Sequence, residues 1–576
     1  MLTLGINAAF HDSSAAIIRD GRLIAAAEEE RFSRIKHGKR PVPFSAYELP
    51  FHAIDYCLRE AGAVLGDVDH FAYSYDPYLR LDRESAGTAL KLPLEPSGQL
   101  VDPTWESPWD PLFLSYIVNA PRHLVGGVPH HLSGRFRNTR AIEPSHWHFV
   151  RHHLCHAASA FLVSPFDEAA VLTIDGRGEL ATTTYGAGRG NRVEEIGQVA
   201  MPHSLGLLYE QVTSHLGFLH SSDEYKVMAL ASFGRPRFLG VFRDAIRVGP
   251  EGRYSIDTGR LWRALGPARV PGEPLQQRHR DIAHSMQAAV EEAVLEIARW
   301  LHRATGMYDL CMAGGVALNC VLNSSIRDRG PFRRVWVQPA AGDAGTALGA
   351  ALIVDGRESG RDERPPAMEH VYLGPQYSQG EIAACLRSAG LSATMPENLA
   401  EAAADLLAAD MVVGWFQGRM EFGPRALGSR SILASPRRAE MQARLNSIKD
   451  REDFRPLAPA VMEEEAVAWF RTGGVASPFM LFVHEVLPDK ARLVPAVCHV
   501  DNSARIQTVS RRQNPLYYDV LAAFRARTGI PVLVNTSFNT RTRPIVCTPT
   551  DALECFFTSP LDALAIGPYL LRKNGY

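Results

Sequence analysis

The chain of 576 residues lacks long apolar runs and lacks an excess of charge of either sign. No apolar stretch approaches the roughly 20 residues that a membrane-spanning helix needs. Residues 1–7 lead into a strand without the basic segment that begins a secretory signal. A formal net charge of -2 offers no basic surface for nucleic acid or anionic lipid. We therefore expect a cytoplasmic protein that binds neither nucleic acid nor membrane.

Cysteine pairs are also missing. The eight cysteines are scattered through the chain without any Cys-x-x-Cys spacing. Zinc ribbons and disulfide frameworks depend on closely or regularly spaced cysteines, so the sequence argues against both. We expect reduced thiols, most of them buried.

The chain is long enough to form more than one domain. A length of 576 residues exceeds the size at which a single hydrophobic core keeps growing. The clearest break begins at Asp355, where a helical pattern gives way to charge, glycine and two prolines. We place a first domain at 1–355, a linker at 356–370 and a second domain at 371–576. Mixed strand and helix patterns continue in the second domain.

The first domain contains a loose internal repeat. In each copy an apolar strand is followed by a polar loop and two further strands joined by a short turn. The predicted strands are 2–8, 15–19 and 22–28 in the first copy, and 169–174, 180–185 and 193–200 in the second, with a turn at 186–189. Helix-rich sequence follows each copy. This pattern predicts a duplicated α/β fold with a cleft between its halves, the architecture of the actin-like ATPase superfamily.

Two histidines and two aspartates form a candidate metal site. His152 and His156 are four residues apart in a predicted helix, so they share one face and can reach one ion. Asp175 ends an apolar strand and Asp343 opens a helix, positions at which carboxylates are presented to a site. The alternative is that one histidine caps the helix while the others are solvated. Because the two carboxylates accompany them, we favour a metal site.

Glycine turns provide a second kind of candidate site. Gly314 and Gly315, followed by Asn319, lie between strand-like and helix-like runs, as does the turn at 342–345. Backbone N–H groups and a helix N-terminus in such turns can hold phosphate. A Gly-Gly pair more often serves close packing, so this signal is weak alone.

The second domain concentrates cations around its predicted strands and helices. Glycines surround several arginines directly after a strand, as expected of a backbone that bends around a polyanion. Ion pairing at the surface with Glu452, Asp453 and 463–465 explains some of these cations but not all. The candidate polyanion-binding residues are Arg425, Arg430, Lys449, Arg451, Arg455, Arg505, Ser537 and Asn539.

Several of these motifs together resemble the NodU/CmcH family of O-carbamoyltransferases, and the resemblance covers essentially the whole chain. The motifs are Gly5-Ile-Asn-Ala-Ala-Phe-His-Asp-Ser-Ser, Glu28-Glu-Glu-Arg-Phe-Ser-Arg-Ile-Lys-His, the His152–His156 pair, Glu224-Tyr-Lys-Val-Met-Ala-Leu-Ala, Gly314-Gly-Val-Ala-Leu-Asn, and Gly418-Arg-Met-Glu-Phe-Gly-Pro-Arg-Ala-Leu-Gly-Ser-Arg. The resemblance implies a tRNA threonylcarbamoyl-transferase type of actin-like domain followed by a YrdC-like domain. It also implies carbamoylation of a hydroxyl group on a secondary metabolite.

The resemblance assigns roles to individual residues. In the YrdC-like domain, Lys449-x-Arg451 and Ser537-x-Asn539 match signatures that use ATP, with Mg(II), and carbamoyl phosphate to form carbamoyl adenylate. In the first domain the two histidines and two aspartates match iron-binding positions, which implies Fe(II) or a similar divalent metal. The remaining matches are His11, followed by Asp12, as the base, Lys36 near the acyl donor, and Gly314, Gly315 and Asn319 at the adenylate.

A long insertion is the main departure from the family pattern. Residues 75–148 are rich in proline and aromatic residues and are longer than in the shortest family members. One interpretation is an acceptor lid formed by Trp105, Trp109, Phe113 and Tyr116, which favours a macrolactam or polyketide over an aminoglycoside. The other interpretation is a surface excursion anchored by these rings. Family members are commonly dimers, so a homodimer is a possible state.

Other functions fit parts of this pattern. An actin-like sugar kinase needs no cationic second domain, and a tRNA-modifying carbamoyl or threonylcarbamoyl transferase needs a basic surface that the composition lacks. A non-enzymatic actin-like ATPase scaffold predicts a phosphate-binding cleft without a metal cluster. We keep these as alternatives to the O-carbamoyltransferase.

Overall fold

The computed structural model describes residues 1–10, 12–38, 49–80, 114, 116–126, 146–540 and 543–573. These residues form two compact units, each assembled from several segments of the chain. Unit 1 comprises Met1–Met201, Cys311–Gly315 and Ala340–Ala367, and unit 2 comprises Pro202–Leu310, Val316–Pro339 and Met368–Tyr576. Among the described helices, none combines the length and the apolar character needed to cross a membrane.

The first sheet has five strands in the order β3-β2-β1-β4-β5. They are β1 (Leu2–Asn7), β2 (Ser14–Arg19), β3 (Arg22–Glu28), β4 (His70–Tyr73) and β5 (Trp147–Phe149). The first three strands form an antiparallel meander, and β4 and β5 continue the sheet in parallel from β1. β1 is buried along its whole length, which suits a central strand of mainly apolar sequence.

The second sheet repeats this arrangement with the order β12-β11-β6-β7-β8. Its strands are β6 (Glu168–Ile174), β7 (Ala181–Arg189), β8 (Arg192–Ala200), β11 (Asp309–Ala313) and β12 (Arg334–Val337), while β9 (Ile246–Val248) and β10 (Tyr254–Ile256) form a separate hairpin. In both five-stranded sheets the first strand is central, with the second and third on one side and the fourth and fifth on the other. The repeat confirms the predicted duplicated α/β fold of the actin-like type.

One predicted turn is wrong. The range 186–189 is not a turn, because β7 continues to Arg189 and pairs with β8 along this part of its length. The misleading residue is Gly188, which serves packing: a Cβ there would lie 2.5 Å from the ring of Phe161. The chain reverses one residue later, at Gly190, where φ is +53°.

The sheet of the C-terminal part has seven strands in the order β18-β15-β19-β14-β13-β20-β21. They are β13 (Val413–Phe416), β14 (Arg430–Ala434), β15 (Ala458–Met462), β18 (Gln507–Val509), β19 (Val532–Ser537), β20 (Ala563–Ile566) and β21 (Tyr569–Arg572), and β16 (His484–Glu485) and β17 (Ser503–Ala504) form a short ladder. Parallel pairs (β13 with β20, β15 with β18) are mixed with antiparallel ones. The expected α/β character of this part is confirmed.

The described α-helices connect and cover these sheets. In chain order they are α1 (Glu30–Ser33), α2 (Phe51–Glu60), α3 (Ala120–Gly126), α4 (His152–Phe161), α5 (Leu205–His215), α6 (Glu224–Ala231), α7 (Leu239–Ala245), α8 (Leu261–Leu265), α9 (Gln277–Thr305), α10 (Cys320–Arg329), α11 (Ala344–Ser359), α12 (Gln379–Ser388), α13 (Leu399–Ala408), α14 (Glu440–Ile448), α15 (Ala466–Trp469), α16 (Pro488–Ala491), α17 (Pro515–Thr528) and α18 (Pro549–Thr558). Helix α11 continues to Ser359, so the first residues of the expected linker at 356–370 are helical.

Two glycines allow α11 to pack closely in unit 1. A Cβ on Gly349 of α11 would lie 1.8 Å from the carbonyl oxygen of Cys155 in α4. A Cβ on Gly5 of β1 would lie 1.9 Å from the carbonyl oxygen of Ala347. Because neither glycine has a side chain, the backbones of α4, α11 and β1 approach closely. This packing sets the position of the N-terminus of α11 relative to α4.

The cysteines agree with the expectation from their spacing. Six of the eight are buried, as expected of mostly buried thiols. Burial raises the pKa of the Cys155 thiol well above its usual value. The side chain of Cys155 therefore behaves as a small apolar group in the packing of α4.

Candidate functional site

Four side chains converge in unit 1. The Nε2 atoms of His152 and His156 lie 3.1 Å apart. They lie 3.3 and 3.4 Å from Oδ2 of Asp175, and each lies 3.5 Å from Oδ1 of Asp343. All four residues are buried. We call His152, His156, Asp175 and Asp343 the His-Asp cluster.

The local fold explains why these four residues meet. The two histidines are one helical turn apart on α4 and face the same direction. Asp175 directly follows β6, and Asp343 is the residue before α11. Close packing of α11 on α4 brings the carboxylate at the start of one helix to the imidazoles of the other. The predicted helix and the predicted element ends are confirmed.

The electrostatics of the His-Asp cluster follow from burial and mutual contact. Burial alone would lower the pKa values of His152 and His156, but hydrogen bonds to the two aspartates raise both. Against the effect of burial, the imidazoles hold the pKa of Asp175 well below its usual range and lower that of Asp343 to about 2. Both carboxylates are therefore ionised at neutral pH.

The donor set and its spacing fit a divalent transition-metal ion. Metal bonds of about 2.1 Å in tetrahedral or octahedral geometry separate neighbouring ligand atoms by about 3.0–3.4 Å. The separations of 3.1–3.5 Å in the cluster are close to that range. Two imidazole nitrogens with two carboxylates suit iron, zinc or manganese, so the ligand type does not single out one metal.

Groups behind the cluster orient its histidines. Nδ1 of His152 lies 3.3 Å from the carbonyl oxygen of Ser74, so its proton resides there and Nε2 is left as the ligand atom. The buried carboxylate of Glu179 accepts the backbone N–H groups of His152 and Asp76, both at 2.8 Å. These contacts hold the first turn of α4. Glu179 was missed as a site residue, although it ends the same Asp175-Gly-Arg-Gly-Glu run.

The glycine turn contributes to the same cluster. The N–H of Gly315 donates to Oδ1 of Asp175 at 2.8 Å, which fixes this carboxylate. Gly314 has a φ of +94°, and a Cβ there would lie 2.2 Å from the carbonyl oxygen of Ile174. Asn319 belongs to unit 2, where its side chain caps α10 by accepting from Leu322 N and also contacts Gln287.

The predicted base and its neighbours are only partly described. His11 lies outside the described residues. Asp12, which has a left-handed φ of 55°, has its Oδ1 2.7 Å from Nδ1 of His37. Lys36 begins the short 3-10 turn that contains His37. Asp12 and Lys36 therefore flank the same histidine, a contact that the sequence pattern did not predict.

In unit 2, four arginines form a group of like charge. Burial, together with the charges of Arg505 and Arg455, lowers the pKa of Arg425. Burial and the same two neighbours lower the pKa of Arg451. Nε of Arg425 and Nη2 of Arg451 are buried and have no hydrogen-bond partner among the described residues. We call Arg425, Arg451, Arg455 and Arg505 the arginine group; its free N–H donors favour an anionic ligand.

Lys449 lies beside the arginine group and joins two of the predicted polar residues. Its Nζ donates to Oγ of Ser537 at 3.1 Å and to Oδ1 of Asn539 at 2.7 Å. Burial, Arg451 and Arg455 lower the pKa of Lys449 well below its usual value. The predicted Lys-x-Arg and Ser-x-Asn residues therefore meet in the structure.

Arg430 has a different environment from the arginine group. It is fully buried, and its guanidinium donates to the carbonyl oxygens of Gln417 at 2.8 Å and Pro375 at 2.9 Å. Its guanidinium carbon lies 3.7 Å from the centroid of the Phe416 ring. The carboxylate of Glu421 accepts the N–H groups of Leu427 and Ser429 in the same loop. Arg430 and Glu421 therefore shape the glycine-rich loop.

Ion pairing at the surface does not account for the arginine group. Glu452 lies 2.9 Å from Lys226, and the nearest nitrogen of Arg455 is 3.9 Å away. In the range 463–465, Glu464 and Glu465 contact Tyr518 and Arg525 instead.

The predicted acceptor lid is only partly described. Trp105, Trp109 and Phe113 lie outside the described residues, and the ring of Tyr116 lies 5.3 Å from that of His123.

Comparison with protein families covers most of the chain. Residues 2–87 and 128–352 match the family model of the carbamoyltransferase N-terminus. Residues 404–573 match the family model of the carbamoyltransferase C-terminus. The first match includes the His-Asp cluster, and the second includes the arginine group.

Individual relatives extend along the whole chain. An uncharacterized protein of Synechocystis sp. is 40% identical over 617 residues, which cover 99% of this chain and 96% of that protein. The nodulation protein NolNO of Sinorhizobium fredii is 39% identical over 582 residues, covering 99% of this chain and 80% of the relative. The crystal structure of T. kodakarensis HypF matches 62% of this chain and 48% of its own at 14% identity, with a TM-score of 0.33. The duplicated fold is defined by the strand order of this chain itself.

Proposed function

The chain belongs to the carbamoyltransferase family, and on this premise we propose that it is an ATP-dependent O-carbamoyltransferase with two reaction sites. In this proposal the arginine group of unit 2 forms carbamoyl adenylate. The His-Asp cluster of unit 1 serves the transfer of the carbamoyl group to an alcohol. The domain boundaries at 355 and 371 remain part of the proposal.

The first reaction of the proposal forms carbamoyl adenylate from carbamoyl phosphate and ATP in two steps. Water cleaves carbamoyl phosphate to carbamate and phosphate. A carbamate oxygen then attacks the α-phosphorus of ATP, and the bond to the bridging oxygen of pyrophosphate breaks. The products are carbamoyl adenylate and pyrophosphate. Both substrates are anions, so the site must supply positive charge to bring them together.

The arginine group is the observation that carries this proposal. The charges of Arg455 and Arg505 lie close enough to lower the pKa of both Arg425 and Arg451, and these last two residues each have a buried N–H donor without a partner among the described residues. Such an arrangement is unfavourable without a ligand, because the charges repel and the donors lose their hydration. A bound polyphosphate removes both costs. Lys449, held by Ser537 and Asn539, adds a further nitrogen donor beside these arginines.

The second reaction is the attack of the acceptor oxygen on the carbamoyl carbon. The bond from that carbon to the adenylate oxygen breaks, AMP leaves, and the proton of the alcohol goes to His11 as general base. A divalent ion held by the His-Asp cluster would supply Lewis-acid polarisation of the carbamoyl donor. Glu179 and Gly315 keep the first turn of α4 and the Asp175 carboxylate in place for that ion.

The acceptor is proposed from composition alone. The aromatic residues Trp105, Trp109, Phe113 and Tyr116 suit a bulky, partly apolar alcohol such as a macrolactam or polyketide. Replacing Trp105 and Trp109 with alanine should raise the KM for such an acceptor while adenylate formation stays unchanged. Unaltered acceptor kinetics would assign these rings to packing.

A single incubation tests the adenylating activity without knowledge of the acceptor. The protein is incubated with ATP, Mg(II) and carbamoyl phosphate, and pyrophosphate and carbamoyl adenylate are measured. We expect both products, and neither when carbamoyl phosphate is omitted. Metal analysis of the same preparation should find about one equivalent of a divalent transition metal. Release of ADP in place of pyrophosphate would indicate a kinase and reject the proposal.

A further inference from the structure

We propose that Lys226, which lies in α6 of the N-terminal half of the sequence, is a positioning residue for the adenylating site. Lys226 binds one oxygen of Glu452 and thereby keeps the long contact between this carboxylate and Arg455 from closing into a hydrogen-bonded ion pair. The inference rests on the proposed function, since it concerns how the same pocket retains its positive charge. It also gives a role to the Glu224–Ala231 motif, which the sequence singles out without a function.

Within unit 2, Lys226 of α6 contacts the loop that contains Glu452. Lys226 is only 8% exposed, and its Nζ lies 2.9 Å from Oε1 of Glu452 and 3.0 Å from Oδ2 of Asp223. Glu452 follows Arg451 directly in the chain, so the lysine contacts the loop that carries part of the arginine group. Against the effect of burial, Glu452 and Asp223 raise the pKa of Lys226. The lysine is therefore charged at neutral pH.

Glu452 is placed to compete with an anionic ligand. Its second oxygen, Oε2, is buried without a hydrogen-bond partner among the described residues, and it lies 3.9 Å from Nη1 of Arg455. A rotation of the carboxylate toward Arg455 would shorten this long ion pair to a hydrogen-bonded one. That pair would remove one of the charges that repel within the arginine group. Lys226 opposes this rotation because it binds the other oxygen of the carboxylate.

The residue before Lys226 contacts the same arginine from another side. The guanidinium carbon of Arg455 lies 4.4 Å from the centroid of the Tyr225 ring, a cation-π contact. Arg425 also approaches this half of the sequence, with Nη2 3.4 Å from the carbonyl oxygen of Leu318. Residues before the proposed boundary at 355 thus contact two members of the arginine group.

The opposing interpretation is that Lys226 and Glu452 form an ion pair that only stabilises unit 2. The two interpretations differ in what removal of the second charge does. If the ion pair only stabilises the fold, loss of both partners gives no recovery of ligand binding. If Lys226 restrains Glu452, neutralising Glu452 makes the lysine unnecessary for binding.

The test uses the full chain and inorganic pyrophosphate as the probe, measured by calorimetry, beside KM and kcat for ATP. We expect Lys226→Met to weaken pyrophosphate binding by about tenfold and to raise KM more than it lowers kcat. Glu452→Gln alone should bind pyrophosphate at least as tightly as the wild type. The double variant Lys226→Met/Glu452→Gln should recover most of the lost affinity, and Lys226→Arg should keep it.

Lys490→Met is the matched control, since this lysine also pairs with an acidic neighbour, Asp489, at 2.9 Å and contacts an aromatic ring. It should leave pyrophosphate binding unchanged. Tm is measured for every variant to establish that the chain is folded.

Two outcomes overturn the inference. One is wild-type affinity in Lys226→Met. The other is a double variant that stays as weak as Lys226→Met, because the lysine then binds the ligand itself or only supports the fold. Failure of the proposed function is a different result: the wild-type protein would bind pyrophosphate but form no carbamoyl adenylate.

Discussion

The His-Asp cluster and the arginine group treat buried charge in opposite ways. In the cluster, two carboxylates lie within 3.5 Å of two imidazoles, so every charge has a partner of complementary character. In the arginine group, like charges lie together and two buried N–H donors have no partner among the described residues. The charges of the cluster are therefore paired within the protein, whereas those of the arginine group repel one another and leave donors for an anion.

The two sites therefore depend on different kinds of supporting contact. The cluster depends on position, because four ligand atoms must converge within a few tenths of an ångström. Its supporting contacts come from backbone groups and from close helix packing. The arginine group depends on charge, so its supporting contacts are those that keep carboxylates away. Substitutions can therefore distinguish the position of the ligand atoms in the cluster from the positive charge of the arginine group.

The largest effect is expected from removing a ligand of the cluster. His152→Ala or Asp343→Ala should abolish metal retention and lower carbamoyl transfer by about 10³-fold or more, because Lewis-acid polarisation is lost. Formation of carbamoyl adenylate should remain nearly unchanged. Metal content is measured by elemental analysis, and the two half-reactions are measured separately.

Lys490→Met is a useful control here as well, since it alters a charged residue of unit 2 far along the chain from the ligands. Equal loss of both half-reactions in a folded His152→Ala protein would contradict the division into two sites. The cluster and the arginine group would then act as one composite site.

The second effect tests the arginine group. Arg451→Ala should slow adenylate formation by about 10²-fold, because a charge that stabilises the transition state is lost. Chemically supplied carbamoyl adenylate should still be transferred at the wild-type rate, with normal metal content. If supplied adenylate fails to rescue the variant, Arg451 does not belong to the adenylating step.

The third prediction changes the packing of α11 against α4 without changing any charge. Gly349→Ala should weaken metal retention by about tenfold, since its Cβ would lie 1.8 Å from Cys155 O, between the two histidines of α4. It should also cost about 1–3 kcal/mol of stability, the usual effect of overpacking. Chelator titration and Tm check both expectations.

Gly240→Ala is the matched control for this substitution. Gly240 lies in α7, and a Cβ there would meet nothing within 4 Å. Its metal retention should equal that of the wild type, with stability equal or slightly higher. Normal metal retention in Gly349→Ala would show that the cluster tolerates a shift of α11 against α4.

The fold was largely predictable because strand alternation and turn residues are local properties. The meander follows from three apolar runs: a polar loop separates β1 from β2, and Asp20 and Gly21 separate β2 from β3. The predicted turn at 186–189 was wrong because a glycine that makes room for a ring, as Gly188 does, cannot be distinguished in sequence from a glycine in a turn. The assignment of 202–310 to unit 2 depends on contacts between distant segments, which no local pattern carries.

The His-Asp cluster was predictable because ligand chemistry limits the residue types. Asp175 and Asp343 lie at element ends that the pattern located, and His152 and His156 lie one turn apart on the predicted helix. The positioning residues were not predictable, since Glu179, Lys226 and Glu452 act through backbone groups or through another charge. Arg430 shows the converse: the sequence groups it with the other arginines, yet its donors bind backbone carbonyl oxygens.

The smallest expected effect separates the two sites without any substitution. Raising the ionic strength from about 0.1 M to about 1 M shortens the Debye length from about 10 Å to about 3 Å. Arg451, Arg455 and Arg505 are all half-buried, so their attraction for pyrophosphate should weaken about three- to tenfold. The ligands of the His-Asp cluster are buried, and metal retention against a fixed chelator should change less than twofold over the same range. Calorimetric titration with pyrophosphate and chelator competition measure the two quantities on one preparation. Equal salt dependence at both sites would mean that solvent screens the cluster as effectively as the arginine group, and the contrast between a paired and an unpaired site would fail.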